Sequence, residues 1–171
     1  MDLQFNAECI DRHNTYRQLH GCPPLQVDFH LARMAQAHAQ KLACAQTIEA
    51  ARLYSIGENV HLHIGSPSVS GRNVVDAWYS EIKSFRFREE KQRHSAHFSQ
   101  LIWKSTTRAG FGRATARGRC AVFVVGLYYE KGNVPGQYTE KVPPRLDGNI
   151  PPDVERANWW QPLAIIPSEI S

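Results

Sequence analysis

A titratable imidazole opens the stretch His97-Phe98-Ser99-Gln100-Leu101-Ile102-Trp103-Lys104-Ser105-Thr106. Phe98, Leu101 and Ile102 stand at i, i+3 and i+4 and form one apolar helix face. His97, at the head, is free to point elsewhere, so the body of the helix is core while its first turn offers a base or a metal ligand to a cleft. Two more imidazoles, His61 and His63, alternate around Leu62. Both point to one face if that segment is a strand, and they read either as surface histidines or as metal ligands. The hydroxyls of Ser66, Ser68 and Ser70 fall in a Gly/Ser/Pro run, the composition of a linker rather than of a nucleophile held beside a base.

The elements that must position these groups follow from periodicity. A first helix is expected over residues 6–20, with Phe5, Cys9, Ile10 and Tyr16 at helical spacing and Gly21, Pro23 and Pro24 ending it. Asp28 is the expected N-cap of a second helix, whose buried stripe is Leu31, Met34, Ala35, His38 and Leu42. A third, over residues 72–84, turns Val74, Val75, Trp78, Ile82 and Phe85 inward. Trp78 and Trp103 read as core with their indole N–H groups bonded to backbone. Asn14, Tyr16 and Arg17 read as ties from the first helix to its neighbours. Between the second and third helices the segment containing Gly57-Glu58-Asn59-Val60 reads as irregular. Then the period changes. Ala109, Phe111 and Arg113 alternate, residues 120–129 are rich in β-formers, and Gly118 is the expected turn of a hairpin. Helices first and strands last predict an α+β layering.

At 171 residues, 42% hydrophobic and 21% charged, the chain is long enough for one domain with a proper core. No apolar run approaches the ~20 residues of a membrane-spanning helix. Met1-Asp2-Leu3-Gln4-Phe5 lacks the basic-then-apolar pattern of a secretory signal, and Asp2 stands where N-myristoylation requires Gly. Cys9, Cys22, Cys44 and Cys120 could make two disulfides, but Cys9 and Cys44 are expected on apolar helix faces. The expectation is therefore reduced thiols and an intracellular chain, with secretion as the alternative. A net charge of +4 favours anionic surfaces. The basic residues concentrate at Arg86, Arg88, Lys91 and Arg93 and at Arg113, Arg117 and Arg119, with no nucleic-acid motif beside them. Residues 144–171 read as a Pro-rich tail whose Asn158-Trp159-Trp160 is expected to dock on the domain.

Four segments, in order, carry a family resemblance: His13-Asn14-Thr15-Tyr16-Arg17, Gly57-Glu58-Asn59, the His97–Thr106 stretch, and Phe123-Val124-Val125-Gly126-Leu127-Tyr128-Tyr129-Glu130-Lys131-Gly132-Asn133-Val134. Together they resemble the CAP superfamily of cysteine-rich secretory proteins, antigen 5 and plant pathogenesis-related 1 proteins, over residues 5–143. The start of the chain and Trp78-Tyr79-Ser80-Glu81-Ile82-Lys83 most resemble the small, signal-less, Golgi-associated plant pathogenesis-related branch. The resemblance implies a three-layer α-β-α sandwich with a central, mainly antiparallel sheet.

It also implies a cleft lined by two His and two Glu, in which the histidines hold a divalent metal. Glu58, Glu81 and His97 match three of the four positions. The other His should precede Gly57-Glu58-Asn59 by about ten residues, and residues 46–56 contain none. A weakened Zn2+ site at His97, with Glu58, Glu81 or His61/His63 as further ligands, is the metal reading that remains. A hydrolase proposed for some relatives uses that His and a Ser whose position here is Ile64. The resemblance therefore predicts a non-enzymatic binding protein on anionic lipid or membrane, with sterol binding and a homodimer as further expectations. It places the chain in the cytoplasm or at the periphery of Golgi membranes. The alternatives are a metal-dependent or serine-type hydrolase with a rebuilt site, and a secreted effector.

Overall fold

The computed structural model describes residues 1–148 except Arg52 and Arg119. The tail with Trp159 and Trp160, and the Arg119 part of the second basic cluster, lie outside the described residues. Helix α1 spans Leu3–Leu19, three residues earlier at its start than periodicity suggests, because the Asp2 carboxylate accepts the Phe5 N–H and caps it. Strand β1 is Gln26–Val27 and helix α2 is Phe29–Ala45. Asp28 caps α2 as expected, taking the N–H groups of His30 and Leu31.

Gly57–Ile64 form strand β2, antiparallel to β4, rather than an irregular stretch. Helix α3 (Gly71–Tyr79) starts at Ser70, whose hydroxyl accepts the Asn73 N–H, and passes into a 3-10 turn over Ser80–Ser84. Helix α4 is Ala96–Ile102; strands β3 (Arg108–Thr115) and β4 (Ala121–Tyr129) make the expected hairpin; α5 is the single turn Tyr138–Lys141. Gly118 adopts φ +68° in the hairpin turn, a left-handed conformation that glycine takes without a Cβ clash.

The sheet order is β1-β3-β4-β2, with β1 parallel to β3 and the other pairs antiparallel. Strand β4 is central and buried on both faces, which explains its continuous apolar run. Val122, Val124 and Tyr128 face α1, α3 and α4; Ala121, Phe123, Val125 and Leu127 face α2. These two cores make the three layers of the α-β-α sandwich. Helix α2 lies close on the sheet: a Cβ at Gly110 would come within 2.1 Å of the Ala32 backbone nitrogen.

The α1 ties behave as the residues suggest. Asn14 exchanges two hydrogen bonds with Leu25, the Tyr16 hydroxyl donates to Asp76 on α3, and fully buried Arg17 donates to the carbonyls of Pro23, Leu101, Trp103, Lys104 and Thr106. Burial with no carboxylate beside it pulls the Arg17 guanidinium down to about 10. Trp78 is core, but its buried indole N–H has no hydrogen-bond partner among the described residues. All four cysteines are free. Cys9 and Cys22 are buried, whereas Cys44 is exposed, so the expectation that it sits on an apolar face is corrected.

Candidate functional site

Helix α4 begins without help from its own N-cap, because the Ser95 side chain makes no capping bond. The orphan N–H groups of its first turn are met from another element. Glu81, in the 3-10 turn after α3, reaches across so that Oε2 accepts the backbone N–H of His97 at 2.9 Å and of Phe98 at 3.1 Å. Its Oε1 accepts the His97 Nδ1–H at 2.6 Å. One carboxylate thus caps the helix, complements its dipole and sets the tautomer of the imidazole. Nε2 of His97 has no hydrogen-bond partner among the described residues.

The His97 ring lies over Trp78, 6.2 Å between centroids at 26°, and its side chain is 37% exposed. From below, Asn59 Nδ2 donates to the His97 carbonyl and to the Tyr128 hydroxyl. That hydroxyl donates to Nε2 of His13, whose Nδ1–H goes to the Cys9 carbonyl. Full burial pushes the His13 ring down to about 3, so it sits neutral under the site.

Glu58 does not join this group. Glu58 and Asn59 are successive strand residues and point to opposite faces of the sheet. Asn59 faces α4, whereas Glu58 shares its face with Val60 and Leu62, which pack on the α2 side. The Glu58 carboxylate accepts the Ala51 N–H at 2.9 Å, and Oε1 lies 3.3 Å from Nε2 of His38 on α2, which donates to the Glu49 carbonyl. His38 is the residue that sequence reasoning missed. It lay in the α2 stripe, but only the register of α2 on the sheet reveals its partner.

The two carboxylate–imidazole pairs, Glu81–His97 and Glu58–His38, are therefore separate. Among the described residues no three His, Cys, Asp or Glu side chains come together to hold a metal ion. The donors matching the family cleft thus bring a single imidazole, His97, to it, with Glu58 held at His38 instead, so the two-histidine metal site that the resemblance implies is not assembled there.

His61 and His63 follow Asn59 on the same face of β2, with ring centroids 6.3 Å apart. Burial, then the charges of His63 and His97, push the His61 ring down to about 4. The hydroxyls near the strand end are otherwise engaged: Ser66 donates to the Ser68 carbonyl and Ser70 caps α3. Ile64, at the family's Ser position, is exposed.

The model of the CAP, cysteine-rich secretory protein family matches residues 10–128. This chain belongs to the CAP family. It is 37% identical over 145 residues to human Golgi-associated plant pathogenesis-related protein 1, covering 82% of this chain and 94% of that protein. It is 32% identical over 143 residues to Protein PRY2 of Saccharomyces cerevisiae and 32% over 138 residues to Secreted protein RBT4 of Candida albicans. The matches span only 41% and 37% of those two longer fungal proteins.

Among solved structures, BmVAL-1 superposes with a TM-score of 0.67 at 20% identity, over 84% of this chain and 82% of that one. NaASP2 with Zn2+ gives 0.67 at 18% identity, over 90% and 95%. At such identity these structures establish the CAP fold, and the site is read from this chain's own residues.

Proposed function

We propose that this CAP-domain chain is a binding protein, not an enzyme, and that it docks on anionic phospholipid surfaces through the segment between the 3-10 turn and α4. The observation that carries this reading is the charge of that segment. Arg86, Arg88, Lys91 and Arg93, and Lys83 in the turn just before them, are all exposed. Of the two acids among them, Glu89 meets Arg86 at 3.6 Å and Glu90 is taken up capping α5 at Tyr138 and Thr139. These five cations outnumber the two carboxylates, which keep their charge, and leave a net +3 facing solvent next to the Glu81–His97 pair.

Each such residue contributes about 1 kcal/mol near an anionic surface, an attraction that salt screens. No helix among the described residues is long and apolar enough to cross a membrane, and the reading is of peripheral attachment. The name of the human relative, which associates that protein with the Golgi, is consistent with such a location. Against catalysis stands the site itself: among the described residues His97 makes no hydrogen bond to a hydroxyl or thiol that it could activate.

Co-sedimentation with phosphatidylserine-containing vesicles tests the proposal. Retention on them, absence from pure phosphatidylcholine vesicles, and release as salt rises from about 50 to 500 mM are expected. Equal retention on both lipids at all salt concentrations would refute it.

A further inference from the structure

The histidines of this chain divide into those with occupied ring nitrogens and those without. His13, His20, His38 and His97 each spend ring nitrogens on a carbonyl, a hydroxyl or a carboxylate. His61 and His63 have no hydrogen-bond or ion-pair partner among the described residues. Yet both are half-buried, on a strand where a β-branched residue would fit the pleat better. Their ring nitrogens are not among the buried, unpartnered polar atoms, so solvent reaches them.

We propose that His61 and His63 chelate a single borderline transition-metal cation of the Cu2+, Ni2+ or Zn2+ class on the α4-facing side of β2. Residues i and i+2 of a strand project on one side, and these two rings already lie 6.3 Å apart, 26° from parallel. A metal about 2.0–2.1 Å from a ring nitrogen lies roughly 3.2 Å from that ring's centroid, so two rings sharing a tetrahedral ion have centroids about 5 Å apart. The observed spacing differs by about 1 Å, a gap that side-chain rotation closes without moving the strand.

Imidazole nitrogen suits Cu, Ni and Zn and not Mg or Ca, which sets the class of ion. Water completes the coordination, because among the described residues no third His, Cys, Asp or Glu joins the two. This chelate uses neither Glu58 nor the Glu81–His97 pair, and it stands whether or not the chain binds lipid.

Isothermal titration with NiCl2 and with ZnCl2, in lipid-free buffer on the reduced full chain, tests it. One equivalent of Ni2+ is expected to bind, and His63→Ala to weaken it at least tenfold. His61→Ala should do the same, with circular dichroism reporting whether this more buried variant remains folded. His97→Ala and the exposed-site control His94→Ala should stay within twofold of the parent. Cu2+ loaded on the unmutated protein should show nitrogen superhyperfine coupling by electron paramagnetic resonance, an outcome that needs no variant. Absence of binding, or binding that survives His63→Ala, overturns the chelate. Binding lost in His97→Ala but kept in His63→Ala also overturns it, and places the ion at the Glu81–His97 pair instead.

Discussion

Glu81 holds His97 at two points at once, by the backbone N–H at 2.9 Å and by the ring Nδ1–H at 2.6 Å. The start of α4 and the orientation of the imidazole therefore depend on one carboxylate carried by a different element. A helix of seven residues with no capping bond from its own N-cap has little else to hold its first turn.

Glu81→Gln keeps one acceptor oxygen but loses the charge that complements the helix end. It should lower stability by about 1–2 kcal/mol, the usual range for a lost cap. Urea denaturation measures this. In the same variant the His97 Nδ1–H resonance, slowed in exchange by the short bond, should disappear from the proton spectrum.

Arg17 is fully buried and donates to five main-chain carbonyls. Arg17→Met removes all five donors and leaves the acceptors stranded, at about 1–3 kcal/mol for each that water cannot reach. The protein should lose more than about 3 kcal/mol or fail to accumulate. Arg17→Lys should recover only part of this loss, since one ammonium has three donors and no planar fork.

His13 and His20 are held neutral, at about 3 and about 4, by burial. Both folded values lie below the ordinary histidine value near 6.5, so the unfolded chain binds more protons as pH falls through that window. Their contribution is intact above about pH 6.5 and is lost progressively below it, at up to about 1.4 kcal/mol per pH unit per histidine. Thermal melts between pH 7.5 and 4.5 should show the midpoint falling steadily. Replacing His13 by Gln should flatten the slope while lowering the midpoint at pH 7.

Gly110 faces the backbone of α2, and an added Cβ would lie 2.1 Å from the Ala32 nitrogen and 2.7 Å from the Asp28 carbonyl oxygen. Neither is a flexible side-chain tip. Gly110→Ala should force α2 off the sheet and cost at least the 1–3 kcal/mol typical of overpacking, visible as a lowered urea midpoint.

The layering was legible in the sequence because most of its signals are local. Asp28 marks the start of α2, and Phe98, Leu101 and Ile102 mark the buried face of α4. Strand β2 was not legible. Val60 and Leu62 pack on the α2 side and alternate with Asn59, His61 and His63 on the α4 side, but polar residues at every second position on a face that another layer covers read as irregular until the pairing with β4 is seen. Glu81 and His97 were placed by motif resemblance, and the structure shows the bond between them. The Glu58–His38 pair spans twenty residues between a helix and a strand. Nothing in either segment announces it, because it depends on where α2 crosses the sheet. Cys44 was misplaced for the same reason: helical spacing locates a residue around the axis but does not say how far the opposing layer extends.

The central claim is that the exposed basic segment before α4 carries the chain to anionic membranes. Charge reversal at Arg88, Lys91 and Arg93 leaves the described core untouched, since all three side chains are exposed. Vesicle co-sedimentation of Arg88→Glu/Lys91→Glu/Arg93→Glu beside the parent, at about 100 mM salt with phosphatidylserine-containing vesicles, tests the claim directly. The account predicts that the parent sediments with the vesicles and the variant, folded by circular dichroism, stays in the supernatant. A folded variant that sediments as well as the parent would contradict it.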